Sequence, residues 1–370
     1  WPLLIIVTVI GGYDTPPAWL GGLVILVSLC LAHVTHTLVE DPLRQHRPRP
    51  RGNDDPVAGA RASLRTLPGV ARAVGGVLAA ALFTVALAVQ PYWDKRVDSA
   101  EKALDPVNYP GARAIQGAQV PDVKPQPDPS LIAGVFPPIG LNDCMIFLPE
   151  APDAMPGPDC TYGDLEAETT IVLAGGSHIE PFIVPLDKLG KEHHFKVATF
   201  VRQECPLVVG GPLNPANDIV SPECAEWGEN AMQEIINLQP DLLVSTSTRP
   251  AGHAGDGRVS ADYVPDAYAN LWQRLAELGI PFVGLRDNPW MFTPSGEPMD
   301  PNLCVVAGYS EHACSMAADM VYAPKDPAAY FLDGAYAQWE IDTAGWYCVD
   351  GLCPPQIGNV YIYRDQNHIS

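Results

Sequence analysis

The chain has 370 residues and a formal net charge of −21, and it is too long for one ordinary domain. Its first 93 residues carry seven Arg and no Lys against five acids, so the remainder holds −23. So acidic a body repels phosphates and anionic lipid surfaces, which excludes nucleic acid as a partner and leaves a neutral or cationic polymer open.

In chain order, residues 1–10 form an apolar run with no charged start of a signal peptide, which reads as a helix whose beginning is missing from a fragment. The apolar run 18–39 is long enough to cross a bilayer, and a second, 73–89, is followed by Pro91-Tyr92-Trp93 at the expected interface. Between them lies a loop with six of the seven arginines, closed by Arg72, which the positive-inside rule places in the cytoplasm. Everything after Trp93 is then outside. The competing reading is a pair of buried helices in a soluble protein. His33, His36 and Glu40 share one helix face near the cytoplasmic end, where snorkelling toward water competes with a place on an acyl or proton path.

Residues 94–140 are rich in proline without sustained periodicity, which predicts an extended tether. Beyond it, 169–174, 196–201, 241–246 and 281–285 read as buried strands, and 227–238 and 266–278 have helical spacing. That alternation predicts a parallel sheet covered on both faces, with ligands at the carboxyl ends of its strands.

Nine cysteines are present, and eight of them come in close-spaced pairs: Cys144 with Cys160, Cys205 with Cys224, Cys304 with Cys314, Cys348 with Cys353. Pairing by proximity predicts disulfides in an oxidising compartment, against buried thiols or a zinc site; no pair has the Cys-x-x-Cys spacing of zinc knuckles. His193-His194 reads as a solvated helix end, and no metal site is expected.

Two motifs carry chemistry. The first predicted strand ends in Ala174-Gly175-Gly176-Ser177-His178 before a helix, a turn that projects a serine hydroxyl over the sheet edge with backbone N–H groups nearby. Gly-Gly-Ser is also a common plain turn. Far downstream, Asp365 and His368 stand three apart, so that a carboxylate can orient an imidazole that takes the proton of Ser177; a polar surface turn has the same pattern.

The ensemble resembles acyltransferase family 3 membrane proteins that carry a C-terminal SGNH (GDSL-like) domain and O-acylate bacterial envelope polysaccharides. The matching features in order are Val39-Glu40-Asp41-Pro42-Leu43-Arg44, the run 73–89, the Pro-rich stretch and Gly-Gly-Ser-His. Then come Arg286-Asp287-Asn288-Pro289, Cys348 with Cys353, and Asp365-Gln366-Asn367-His368-Ile369-Ser370. The resemblance implies a flavodoxin-like α/β domain over 141–370. Before it would come the last helices of a membrane bundle (1–41), a cytoplasmic loop (42–72), a further membrane helix (73–91) and an extracytoplasmic tether (92–140). It implies a multi-pass protein of the bacterial cell membrane that embeds in the lipid bilayer, with its C-terminal domain outside. The implied reaction is acyl or acetyl transfer to an envelope glycan by Ser177, His368 and Asp365. Acyl-CoA would supply the missing bundle, and the soluble domain would bind no cofactor.

The sequence departs from that family at Gly176, where the usual residue is Asp, a local organiser of the turn. Oxyanion donors are expected among Gly176, Gly210, Gly211 and Ser247, the last within Ser245-Thr246-Ser247-Thr248. A glycan O-acetyl esterase and a non-catalytic glycan-binding module are the competing functions.

Overall fold

The computed structural model describes residues 104–148, 150–210, 221–250 and 261–369, with scattered positions before residue 96. The chain divides into two compact units, Trp1–Ser99 and Ala100–Ser370. The runs expected to cross a membrane, the arginine-rich loop, His33 and Glu40 lie outside the described residues or nearly so. Among the described residues, no helix is long and apolar enough to cross a membrane.

The second unit is built on a seven-stranded sheet: β1 (Met145–Ile146), β2 (Thr161–Gly163), β3 (Thr170–Gly175), β4 (Lys196–Arg202), β5 (Leu242–Thr246), β6 (Phe282–Leu285) and β7 (Gln338–Ile341). The order is β1-β4-β3-β5-β6-β7 and all these pairs are parallel; β2 alone lies antiparallel on β4. Leu173 stands opposite Thr199 on one side and Val244 on the other, so β3 is fully paired.

Three helices cover the sheet: α1 (Ile183–His193), α2 (Pro222–Leu238) and α3 (Asp266–Leu278). Side chains alternate across a strand, and the two faces sort accordingly. Val172, Ala174, Phe200, Leu243 and Phe282 pack with Trp227, Met232 and Ile235 of α2 and Leu271 and Leu275 of α3. Leu173, Val197, Val201, Val244 and Leu285 pack on the opposite face with Ile183 and Leu186 of α1. Trp227, Ile235 and Leu243 have no exposed surface, and each such burial contributes about 1.5–3 kcal/mol.

The helix ends follow from local chemistry. Ser221 caps α2 by accepting from the Cys224 N–H, Pro222 sits at its first position, and α3 stops at Gly279, whose φ of 68° suits glycine. His194 ends α1 in the left-handed region, with Nδ1 against Asp164 at 2.8 Å, so the His193-His194 pair closes a helix.

The four cysteine pairs expected from proximity are four disulfides, Cys144–Cys160, Cys205–Cys224, Cys304–Cys314 and Cys348–Cys353. They tie down segments with little regular structure, including the third apolar cluster, where Trp290, Met291, Phe292, Met316, Tyr322 and Tyr363 pack together beyond the end of β6.

The described part of the stretch expected as a tether behaves differently from an extended linker. Gly111 N–H donates to Gly358 O, Gln126 N–H to Asn359 O and Tyr361 N–H to Gln126 O, while the Asn359 amide donates to Asn108 O and Pro121 O. Ile132 and Ile139 are fully buried. Isolated prolines in an aperiodic stretch read as linker, but here alternate backbone groups find partners in the C-terminal segment, which sequence periodicity does not register.

Candidate active site

The site forms where β3, β5 and β6 end, at the carboxyl edge of the sheet, as the rule for open α/β sheets requires. β3 leaves the sheet through Gly175, whose φ of 146° no side chain readily adopts and whose added Cβ would come within 3.2 Å of Ser245 Oγ. That forced corner carries Gly176 and Ser177 out of the ladder. Ile179 N–H donates to Gly176 O and Glu180 N–H to Ser177 O, and a 3-10 turn, Glu180–Phe182, precedes α1. The helix therefore begins six residues after the serine and not directly behind it.

Ser177 Oγ lies 2.7 Å from His368 Nε2, and His368 Nδ1 lies 2.7 and 3.0 Å from the two oxygens of Asp365. Burial alone would raise the Asp365 carboxyl. Hydrogen bonds from the His368 ring and from the N–H groups of Asn367 and His368 outweigh it and hold the carboxyl down at about 2. An ionised carboxylate only accepts, so Nδ1 carries the proton and Nε2 is left to accept from the serine hydroxyl. The turn bearing both groups is fastened by Arg364 N–H to His368 O, by Met291 N–H to Gln366 O and by the Asn288 amide to Asn367 O.

These residues border a cleft of about 650 Å³, together with Gly176, His178, Glu180, Thr246, Arg249, Tyr268, Asp287, Trp290 and Arg364. The N–H groups of Ser177 and His178 donate to no described residue. Glu180 is fully buried, and burial raises its carboxyl against the pull of Arg364 and His368. Arg364, itself buried, lies 3.5 Å from a Glu180 oxygen and stacks over Phe136, 4.3 Å from its ring. His178 Nδ1 is 2.8 Å from Asp287, its ring centroid 4.8 Å from that of Trp290 and 5.0 Å from that of His368.

The other residues expected as oxyanion donors fall elsewhere. Gly210 is remote from the cleft and its N–H donates to Glu229 at 2.7 Å. Ser247 is fully buried beneath the cleft, its N–H given to Leu285 O. Gly211 lies outside the described residues. Polar strand-end residues resemble one another in sequence, and only the sheet register decides which of them reaches the surface.

Sequence reasoning assigned no role to His178, Glu180, Asp287, Trp290 or Arg364. Asp287 was within reach, because it directly follows the expected strand 281–285 at the edge where ligands bind. Glu180 and Arg364 gave no signal, since a buried ion pair between residues so far apart in sequence shows itself only in three dimensions.

No characterised protein matches the chain by sequence. Among solved structures, the periplasmic domain of a Salmonella ser. Paratyphi A lipopolysaccharide acetyltransferase aligns with a TM-score of 0.34 and 13% identity, covering 56% of this chain and 79% of that one. Residues 144–370 match the model of the SGNH domain that is fused to AT3 domains, and since that stretch is more than half of the sequence, the chain belongs to this family.

Proposed function

We propose that the chain is an O-acyltransferase that carries an acyl group on Ser177 and delivers it to a hydroxyl of an envelope glycan. The observation that carries this reading is the unbroken hydrogen-bonded series from Ser177 Oγ through His368 to Asp365 at the edge of an open cleft. Ser177 Oγ attacks the acyl carbonyl while its proton passes to His368 Nε2, and Asp365 stabilises the imidazolium that results. The Ser177 and His178 N–H groups, beside Gly176, receive the oxyanion. His368 returns its proton to the departing group. A sugar hydroxyl then attacks the acyl-serine and gives its proton to the same nitrogen; the bond from the acyl carbon to Ser177 Oγ breaks as His368 returns that proton to Oγ, and the sugar leaves as the ester.

The acyl group comes from an acyl-CoA donor by way of the membrane portion of the protein, and the domain itself needs no cofactor. Four disulfides favour an extracytoplasmic location for the domain.

A fluorophosphonate should label Ser177 covalently in the full chain. Ser177→Ala should abolish both labelling and hydrolysis of p-nitrophenyl acetate, read by intact mass and by absorbance. Folded protein that takes no label would leave a glycan-binding module as the better description.

A further inference from the structure

Beside the serine and its base stands a second imidazole that the proposed reaction has not used. His178 follows Ser177 directly, yet its ring turns to a different carboxylate, Asp287, at 2.8 Å. Asp287 does not depend on His178 for its own position. Its Oδ1 also accepts from the Asn288 N–H, its Oδ2 accepts from the Trp290 indole N–H at 3.0 Å, and its backbone N–H and C=O are bonded to Thr248 and Tyr322. The preceding residue, Arg286, is locked by a bidentate pair with buried Asp262. Asp287 is therefore a fixed post and His178 is what it orients. With Nδ1 donating to the carboxylate, the neutral ring presents Nε2 as an acceptor, and among the described residues Nε2 has no partner.

The placement defines what Nε2 can meet. The His178 and His368 ring centroids are 5.0 Å apart and both rings border the cleft. A hydroxyl poised to attack an acyl-serine lies within about 3 Å of His368 Nε2, in the same cleft that the second imidazole borders. Trp290, almost wholly buried and with its ring centroid 4.8 Å from that of His178, packs against the imidazole and limits where it can move.

We infer that the imidazole of His178, held by Asp287 and backed by Trp290, forms the subsite that binds and orients the attacking hydroxyl, so that the side chain governs the second half of the reaction, while the backbone N–H, which substitution of the side chain retains, serves both halves. This rests on Ser177 being the nucleophile. The subsite takes a neutral hydroxyl donor, a sugar alcohol or water in its place. Its bonds do not change during the reaction: the proton of the attacking hydroxyl goes to His368, and His178 accepts only a hydrogen bond.

Two isosteric substitutions in the full chain separate this role from a purely structural one. His178→Asn keeps an amide N–H near the place of Nδ1, where it still donates to Asp287, and removes the Nε2 end. His178→Gln keeps a hydrogen-bonding atom near Nε2 and loses the link to Asp287. With p-nitrophenyl acetate, His178→Asn should leave fluorophosphonate labelling of Ser177 and the initial release of nitrophenol within about twofold of the parent. Its steady-state turnover should fall at least about tenfold, with acetylated Ser177 accumulating in the intact mass. His178→Gln should retain most of the turnover. The reverse order, in which Asn is harmless and Gln damaging, would assign His178 to bracing the loop and overturn the inference, as would equal losses in both variants or a loss of labelling in His178→Asn. Absence of label in the parent chain would remove the nucleophile itself, and the inference with it.

Discussion

Asp365 does two jobs with one carboxylate, and they can be separated. Its Oδ1 accepts from the Asn367 and His368 N–H groups, which shapes the turn, and both oxygens face the imidazole, which sets the tautomer. Asp365→Asn keeps an oxygen for the turn and can present N–H to the ring, stabilising the wrong tautomer. The expected outcome is a folded protein whose esterase turnover drops by about 10²–10⁴, measured with p-nitrophenyl acetate alongside a thermal melt. A loss under tenfold would mean that the imidazole does not need this carboxylate. At Gly176 an added Cβ would meet the nearest atom, Cys205 O, at 3.4 Å, an ordinary contact, so nothing steric demands glycine there. The departure from the usual Asp leaves the neighbouring serine in place because the corner is enforced one residue earlier, at Gly175.

Among the elements, the loop after β6 carries the greatest concentration of buried charge. Arg286 pairs with Asp262 and Asp342, donates to Ala323 O and lies over the Tyr322 ring at 4.5 Å, while Thr343 Oγ1 donates to its backbone O. Burial works against the guanidinium charge, and the two carboxylates more than restore it, so its pKa lies above the usual arginine value. Arg286→Ala would leave Asp262 buried without its partner, at a cost of about 3–5 kcal/mol. Chemical denaturation should show that loss, and Asp287, next in the chain, should lose its fixed position with it. The longer elements were legible in the sequence. The four expected strands correspond to β3, β4, β5 and β6 within a residue at each end, and 266–278 is α3; α2 starts five residues before the expected 227, at the Ser221-Pro222 cap. What escaped were β1, β2 and β7, of two to four residues each, in which Trp339 and Ile341 of β7 remain partly open. Strands so short hold no periodicity of their own and exist only because β4 and β6 offer them an edge. The serine, the imidazole and the carboxylate could be read from the sequence because each sits in a compact motif, whereas the cleft's other walls come from six separate segments.

At the scale of the molecule, acidity shapes the response to pH. Burial raises the carboxyls of Glu180, Asp300 and Asp326, the last to about 6. An acid whose folded value lies above its unfolded one stabilises the fold below the unfolded value and loses that contribution as pH rises through the folded one. For Asp326 the window runs from about 4 to about 6, and self-repulsion within a chain of net charge −21 adds a slope in the same direction. Asp365, held at about 2, has the opposite sign, and its contribution disappears only as pH falls below about 4. Melting temperature should therefore decline from pH 4 to pH 7. Asp326→Asn, which keeps the cap to the Ala328 N–H and neutralises an oxygen that has no hydrogen-bond partner, should flatten that decline. An unchanged slope in the variant would locate the pH sensitivity elsewhere. The four disulfides act independently of pH across this range, each contributing about 2–4 kcal/mol.

The hydrogen bonds between residues 108–126 and 358–361 bear on the imidazole only a few positions further along. Gly358 sits so close to Gly111 that a Cβ there would come within 2.5 Å of the Gly111 carbonyl oxygen, which leaves that seam no slack. The family-matched stretch begins at residue 144, so residues upstream of it are tied to the segment that leads into His368. A peptidase that cut the lead-in away would strip residues 358–361 of these partners in the same stroke, and the C-terminal strand pair would be left to hold itself.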